Sequence, residues 1–156
     1  MKSEKLWIYL TYACGALSFI ALFLPQFEIV VWEKQVKGFL FLWGGHKNFY
    51  TDVSLLVYLV AAMWGIGAAG ALLWAGVLLR RRLRTAIAWM NWAAFFVAME
   101  LIFLLVAAEE VLTDLRVQSL QADSFARWGS WLSFAVLFIL LFLPGRTKKA
   151  LFPSPR

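Results

Sequence analysis

The sequence predicts an all-α membrane protein: a four-helix transmembrane bundle with a small extracytoplasmic β-hairpin between spans one and two. Three observations predict it. Hydrophobic residues make up 63% of the 156 residues and charged residues only 15%, with a mean hydropathy of +0.75; a soluble domain is nearer about 45–50% apolar. The apolar residues gather in four runs, at about 6–24, 53–79, 85–108 and 128–144, and a run of ~18 residues is long enough to cross a bilayer as a helix. The net charge is +6, and ten of the fifteen Lys and Arg residues lie in the three short segments 1–5, 80–84 and 145–156. The segments 25–52 and 109–127 hold the other five. That asymmetry orients a four-span chain with both termini in the cytoplasm. The basic charge is therefore a topology signal facing anionic lipid, not a nucleic-acid surface.

The first span carries Trp7 and Tyr9 at its inner end, where amphipathic rings favour the headgroup level. It stops at Leu24-Pro25, because Pro25 disfavours a helical Leu24. Lys2 and Lys5 would suit a signal peptide, but no small-x-small cleavage site precedes Pro25, so the span is expected to be retained. Cys14, the one cysteine, lies inside this run and reads as a small buried hydrophobe.

Segment 25–52 differs in kind. Phe27–Trp32 and Val36–Trp43 are β-branched and aromatic runs around the polar break Glu33-Lys34-Gln35. The pattern reads as a β-hairpin turning near Glu33–Gln35 and leaving through Gly44-Gly45. A re-entrant or interfacial piece is the alternative. Phe27, Trp32, Phe39, Phe41 and Trp43 are the candidate outer contact surface, since so many large apolar side chains outside the spans form a binding-type patch.

Span two starts near Asp52, a good N-cap. Gly65-Ile66-Gly67-Ala68-Ala69-Gly70 matches the dinucleotide motif G-x-G-x-x-G, but that motif needs a strand before it and here sits within an apolar helix. Its physical reading is close helix packing through Gly65, Gly67, Ala69, Gly70, Ala71 and Gly76, against the same chain or another one. The Arg80–Arg84 turn is short enough only for an antiparallel pairing of spans two and three. Span three contains Glu100, and an ionisable residue within a span is a functional hypothesis by default. Ser18, Tyr58 and Ser133 are expected at similar depth, able to hydrogen-bond its carboxyl. Span three should continue outside for two or three turns from Glu109. Glu110 and Asp114 share one face there, read as solvated, with a cation-binding carboxylate pair as the alternative, and a turn follows near Gln121–Asp123. Span four should begin around Asp123 or Ser124 and end at Pro144-Gly145, leaving 146–156 as a basic tail with little structure.

No catalytic constellation is present. His46 is the sole histidine and Cys14 the sole cysteine, so neither a metal site nor paired-thiol chemistry has its ligands, and no cofactor is implied. The four spans and the strand-like outer segment resemble the claudin and peripheral-myelin type of architecture. Trp32, Gly38 and Trp43 are similar to that family's Trp…Gly-Leu-Trp signature, though Gly38 and Trp43 are not adjacent and the cysteine pair is missing. With Leu24-Pro25 after the first span, the chain also resembles small bacterial four-span proteins, which implies a bacterial inner membrane. The expected function is a non-enzymatic subunit or scaffold, partnered by the bilayer and by another protein or a second copy in the membrane. The alternative is a small transporter, channel or proton-coupled component working through Glu100.

Overall fold

The computed structural model describes residues 2–32, 36–40 and 55–152. Its elements are α1 (Lys2–Ala21), β1 (Phe27–Val31), β2 (Val36–Leu40), α2 (Leu55–Arg80), α3 (Thr85–Val117), β3 (Ala122–Ala126) and α4 (Trp128–Leu151). The helices form a ring in which α1 packs on α2 and α4, and α3 packs on α2 and α4. Two helical stretches, Val57–Arg80 and Trp128–Leu151, are long and apolar enough to cross a membrane; the apolar part of α1, Lys5–Ala21, is shorter. These two stretches suggest membrane association.

Alanines are frequent inside the bundle, among buried Leu72, Met90 and Leu140, and many large apolar side chains lie on its outside. Ala61, Ala68, Ala75, Ala86, Ala93 and Ala107 are fully buried, while Met63, Phe138 and Leu141 are among the most exposed apolar side chains. Small inward residues let helix backbones approach, and large outward ones suit lipid.

Two helices end in the same way. After α2, Leu83 N–H donates to Leu78 O (3.0 Å) and Arg82 N–H to Leu79 O (2.9 Å), with Arg82 at φ 54°. After α3, Leu120 N–H donates to Leu115 O (3.0 Å) and Ser119 N–H to Arg116 O (2.9 Å), with Ser119 at φ 62°. Both are Schellman motifs, which satisfy the last carbonyls and reverse the chain, here without the usual glycine.

The sheet has the order β2-β1-β3, antiparallel throughout. In its register Glu28 lies opposite Phe39 on one side and Phe125 on the other, and Val31 opposite Val36 and Ala122. Two strands are those the sequence predicts; the expected turn at Glu33–Gln35 lies outside the described residues. The third strand corrects the sequence reading. Residues 122–126 were expected as turn and helix start, yet they form β3, and α4 begins at Trp128. Ala-Asp-Ser-Phe-Ala has little strand propensity of its own. It becomes a strand because β1 otherwise presents an unpaired row of backbone donors and acceptors on that side.

A second correction concerns Pro144, which lies inside α4; the helix runs on to Leu151. Proline removes one backbone hydrogen bond and crowds the preceding turn. Packing outweighs that loss: Leu143 and Pro144 are buried, and the Arg84 guanidinium lies 5.9 Å over the Phe152 ring, fastening the end of α4 to the α2–α3 turn.

Candidate functional sites: a polar layer in the bundle and the outer face of the sheet

The buried apolar residues fall into two clusters, one at the end of the bundle away from the sheet and one beneath it. Small or polar buried residues lie near the change from one cluster to the other: Ser18 on α1, between Cys14 and Leu22; Gly65 on α2, between Ala62 and Ala68; and Glu100 on α3, between Val97 and Leu101 and one turn before Leu104. On α4 Ser133 lies before Val136, and the described α4 residues join the first cluster only. Glu100 is 1% exposed. Ser133 Oγ donates to its Oε1 at 3.3 Å. Its other face lies on the α2 backbone: a Cβ added at Gly65 would stand 3.1 Å from Glu100 Cδ and 3.2 Å from Oε2, and 2.4 Å from Leu22 Cδ2. Gly65 is thus where α2 makes room for a carboxyl.

Of the polar residues named from the sequence, Ser133 bonds Glu100. Ser18 is buried, its Oγ without a hydrogen-bond partner among the described residues. Tyr58 does not join them. It lies seven residues before Gly65, about 10 Å along the helix axis, within the cluster beneath the sheet. Periodicity gives depth along each helix only as well as the span boundaries are placed, and the boundary of span two was placed from Asp52.

The small-residue face of α2 packs on the same chain at most of its positions. A Cβ at Gly76 would meet the Tyr12 ring at 2.7–2.9 Å and one at Gly67 the Phe96 ring at 3.3 Å. Ala69 and Ala71 are buried, whereas Gly70 is exposed with nothing within 4 Å of an added Cβ.

Between bundle and sheet lies a junction that sequence reasoning missed. Gln26, fully buried, donates from Nε2 to Ala21 O at 2.6 Å, capping the end of α1. The Gln26 carbonyl accepts from Ser130 Oγ at 2.7 Å and from Arg127 N–H at 2.8 Å. The Pro25 carbonyl accepts from Gly129 N–H at 3.0 Å, serving the start of α4, which has no side-chain cap. Gly129 leaves room for the Gln26 amide, which would lie 2.3 Å from an added Cβ. Arg127 pairs with the buried Glu28. These partners are about a hundred residues apart in the chain, so no local pattern announces them. The one available signal was an acidic residue inside an otherwise apolar strand, Glu28, which burial obliges to find a donor.

The sheet turns Phe27, Ile29 and Val31 into the core, all nearly inaccessible. Phe27 is therefore core, not contact surface. The opposite face carries Trp32 and Phe125, exposed at 54% and 47%, with Phe39 half-buried two strands across from Phe125. Trp32 Nε1 donates to Asp123 Oδ2 at 2.7 Å and its N–H to Gln121 O at 3.0 Å, so the ring is held in place on the surface. Phe41, Trp43 and His46 lie outside the described residues. Among the described residues no group of three His, Cys, Asp or Glu side chains could hold a metal ion.

Comparison with family models, curated proteins and solved structures finds no match. The functional reading therefore rests on the geometry.

Proposed function

We propose that the chain is a non-enzymatic integral membrane protein whose four helices all cross the bilayer, with both termini cytoplasmic, and that it serves as a subunit or scaffold by presenting the outer face of its sheet to a protein partner. The observation that carries the reading is Trp32: a large aromatic residue, half in solvent yet fixed by its backbone bond to Gln121 and its side-chain bond to Asp123, on the same face as exposed Phe125 of a sheet whose other face is buried. A rigid, exposed aromatic loses little entropy on binding, which is why such residues anchor interfaces. The charge asymmetry supports the orientation, and the apolar exterior of the bundle supports the spans. The same topology is the basis of the likeness to claudin-type and small bacterial four-span proteins, and it implies a bacterial plasma membrane.

A transport reading through Glu100 is the alternative, favoured by the burial of an ionisable side chain within the bundle. The close contact with Gly65 and the bond from Ser133 favour a packing role instead.

Three experiments test these readings. Reporter fusions at Arg82 and after Arg156 should report cytoplasm, and fusions at Lys47 and Gln118 the outside; an outside signal at Arg82 overturns the topology. A photo-crosslinking residue at Trp32 or Phe125, in native membranes, should give a discrete protein adduct that the same residue at lipid-facing Phe138 does not. Adducts to lipid alone from the sheet positions would overturn the scaffold reading. Ion flux through reconstituted protein that disappears in Glu100→Gln would replace it with transport.

A further inference from the structure

A cleft of about 270 Å³ opens on the surface of the bundle between α1 and α4. Trp7 and Leu10 line it from α1, and Phe138, Phe142, Leu143 and Arg146 are among its α4 residues. Phe138, Phe142 and Arg146 are spaced by four and so form one stripe along α4. The two rings are in edge contact, with centroids 5.4 Å apart, and make an apolar wall. Arg146 stands one turn, about 6 Å, beyond Phe142 along the axis. The cleft is therefore an elongated amphiphilic slot with its one charged lining residue at one end.

That end is strongly basic. Lys5 and Lys149 are exposed, Lys5 two residues before Trp7 and Lys149 one turn beyond Arg146. Residues 145–156 contain four basic residues and no acidic one, and Glu4 is the single acid in residues 1–5. A second copy of this chain would bring the same positive charges together. A zwitterionic lipid would bring its own cation to them. An anionic headgroup complements them, and basic clefts between helices at the cytoplasmic side recognise such headgroups.

The geometry points to this cleft as a binding site for one anionic glycerophospholipid of the inner leaflet, its acyl chain along Phe138 and Phe142 and its phosphate at Arg146. The inference rests on the membrane reading above. It gives the chain a lipid preference, which neither the span pattern nor the sheet surface implies.

The test begins with alkaline carbonate washing of membranes containing the full chain. Release of the chain would overturn both the membrane reading and this one. Retained chain is then purified in mild detergent, mixed with equal amounts of phosphatidylglycerol and phosphatidylcholine, and examined by native mass spectrometry. One phosphatidylglycerol should be held in preference to phosphatidylcholine. Arg146→Gln should reduce that preference about five-fold, the effect of removing one basic residue at an anionic headgroup, and Arg81→Gln in the other basic turn should not. Leu10→Trp, which fills the cleft with all charges retained, should remove the bound lipid; if it fails to fold, Leu10→Phe takes its place. Equal retention of both lipids, an unchanged preference in Arg146→Gln, or a lipid-free dimer would overturn the site and leave the membrane reading standing.

Discussion

Three glycines on one helix provide a graded test of how α2 is packed. The perturbation is a single methyl group at Gly65, Gly70 or Gly76. In a helix interior, Gly→Ala alone favours folding by about 0.8–1 kcal/mol. At Gly70 nothing lies within 4 Å of the new Cβ, so the full gain should appear. At Gly76 three atoms of the Tyr12 ring lie within 2.9 Å; a rigid ring cannot yield by turning one terminal methyl, so ring or helix must move. At Gly65 the nearest atom, Leu22 Cδ2 at 2.4 Å, ends a flexible side chain, but Leu22 is fully buried and the Glu100 carboxyl stands immediately behind at 3.1 Å. Overpacking of this kind costs about 1–3 kcal/mol. Set against the propensity gain, Gly65→Ala and Gly76→Ala should be neutral to about 2 kcal/mol destabilising, and Gly70→Ala stabilising. Thermal unfolding in one detergent, followed by tryptophan fluorescence, measures the order. Gly70→Ala as damaging as Gly65→Ala would refute the packing and place the Gly70 face against a second chain.

Further predictions concern the junction, the turn and the polar layer. Arg127→Met should destabilise by about 1.5–3 kcal/mol, the range for a hydrogen bond to a charged group, and Glu28→Gln should restore part of the loss in the double variant, because a neutral amide is cheaper to bury than a carboxylate; strict additivity would refute the coupling. Ser119→Gly should stabilise by about 0.5–1 kcal/mol, since Ser119 holds a left-handed backbone conformation that costs an L-residue about that much more than glycine, and an unchanged melting temperature would count against the turn geometry. Glu100→Gln should leave expression and melting temperature nearly unchanged, since the amide still accepts from Ser133. Glu100→Lys should lower both, because a longer cation must occupy a site bounded by Gly65 and Leu22; equal behaviour of the two variants would mean that the carboxyl is not enclosed.

Much of the architecture was legible because it follows from local periodicity and from the cost of exposing apolar surface. Four apolar runs gave four helices, Arg80–Arg84 gave a tight reversal, and β-branched residues around Glu33–Gln35 gave two strands in the expected places. Glu100 stood out because a lone charge in an apolar run has no local explanation.

Tertiary structure decided what depends on partners distant in the chain. Ala122–Ala126 has too little strand propensity to be read as β3, and becomes one only because β1 offers a free row of hydrogen-bonding groups. Pro144 reads as a stop, yet α4 continues, because burial of Leu143 and Pro144 outweighs one lost backbone bond. Phe27 and Trp32 look alike in composition, and only the direction in which the sheet faces the bundle makes one core and the other surface. Tyr58, a plausible partner for Glu100 by depth, gave way to Gly65, whose contribution is the absence of a side chain. Propensity and hydrophobicity belong to single residues and short windows and can be read along the chain. Pairing, facing and close approach belong to pairs of residues, and those pairs form only once the helices have packed.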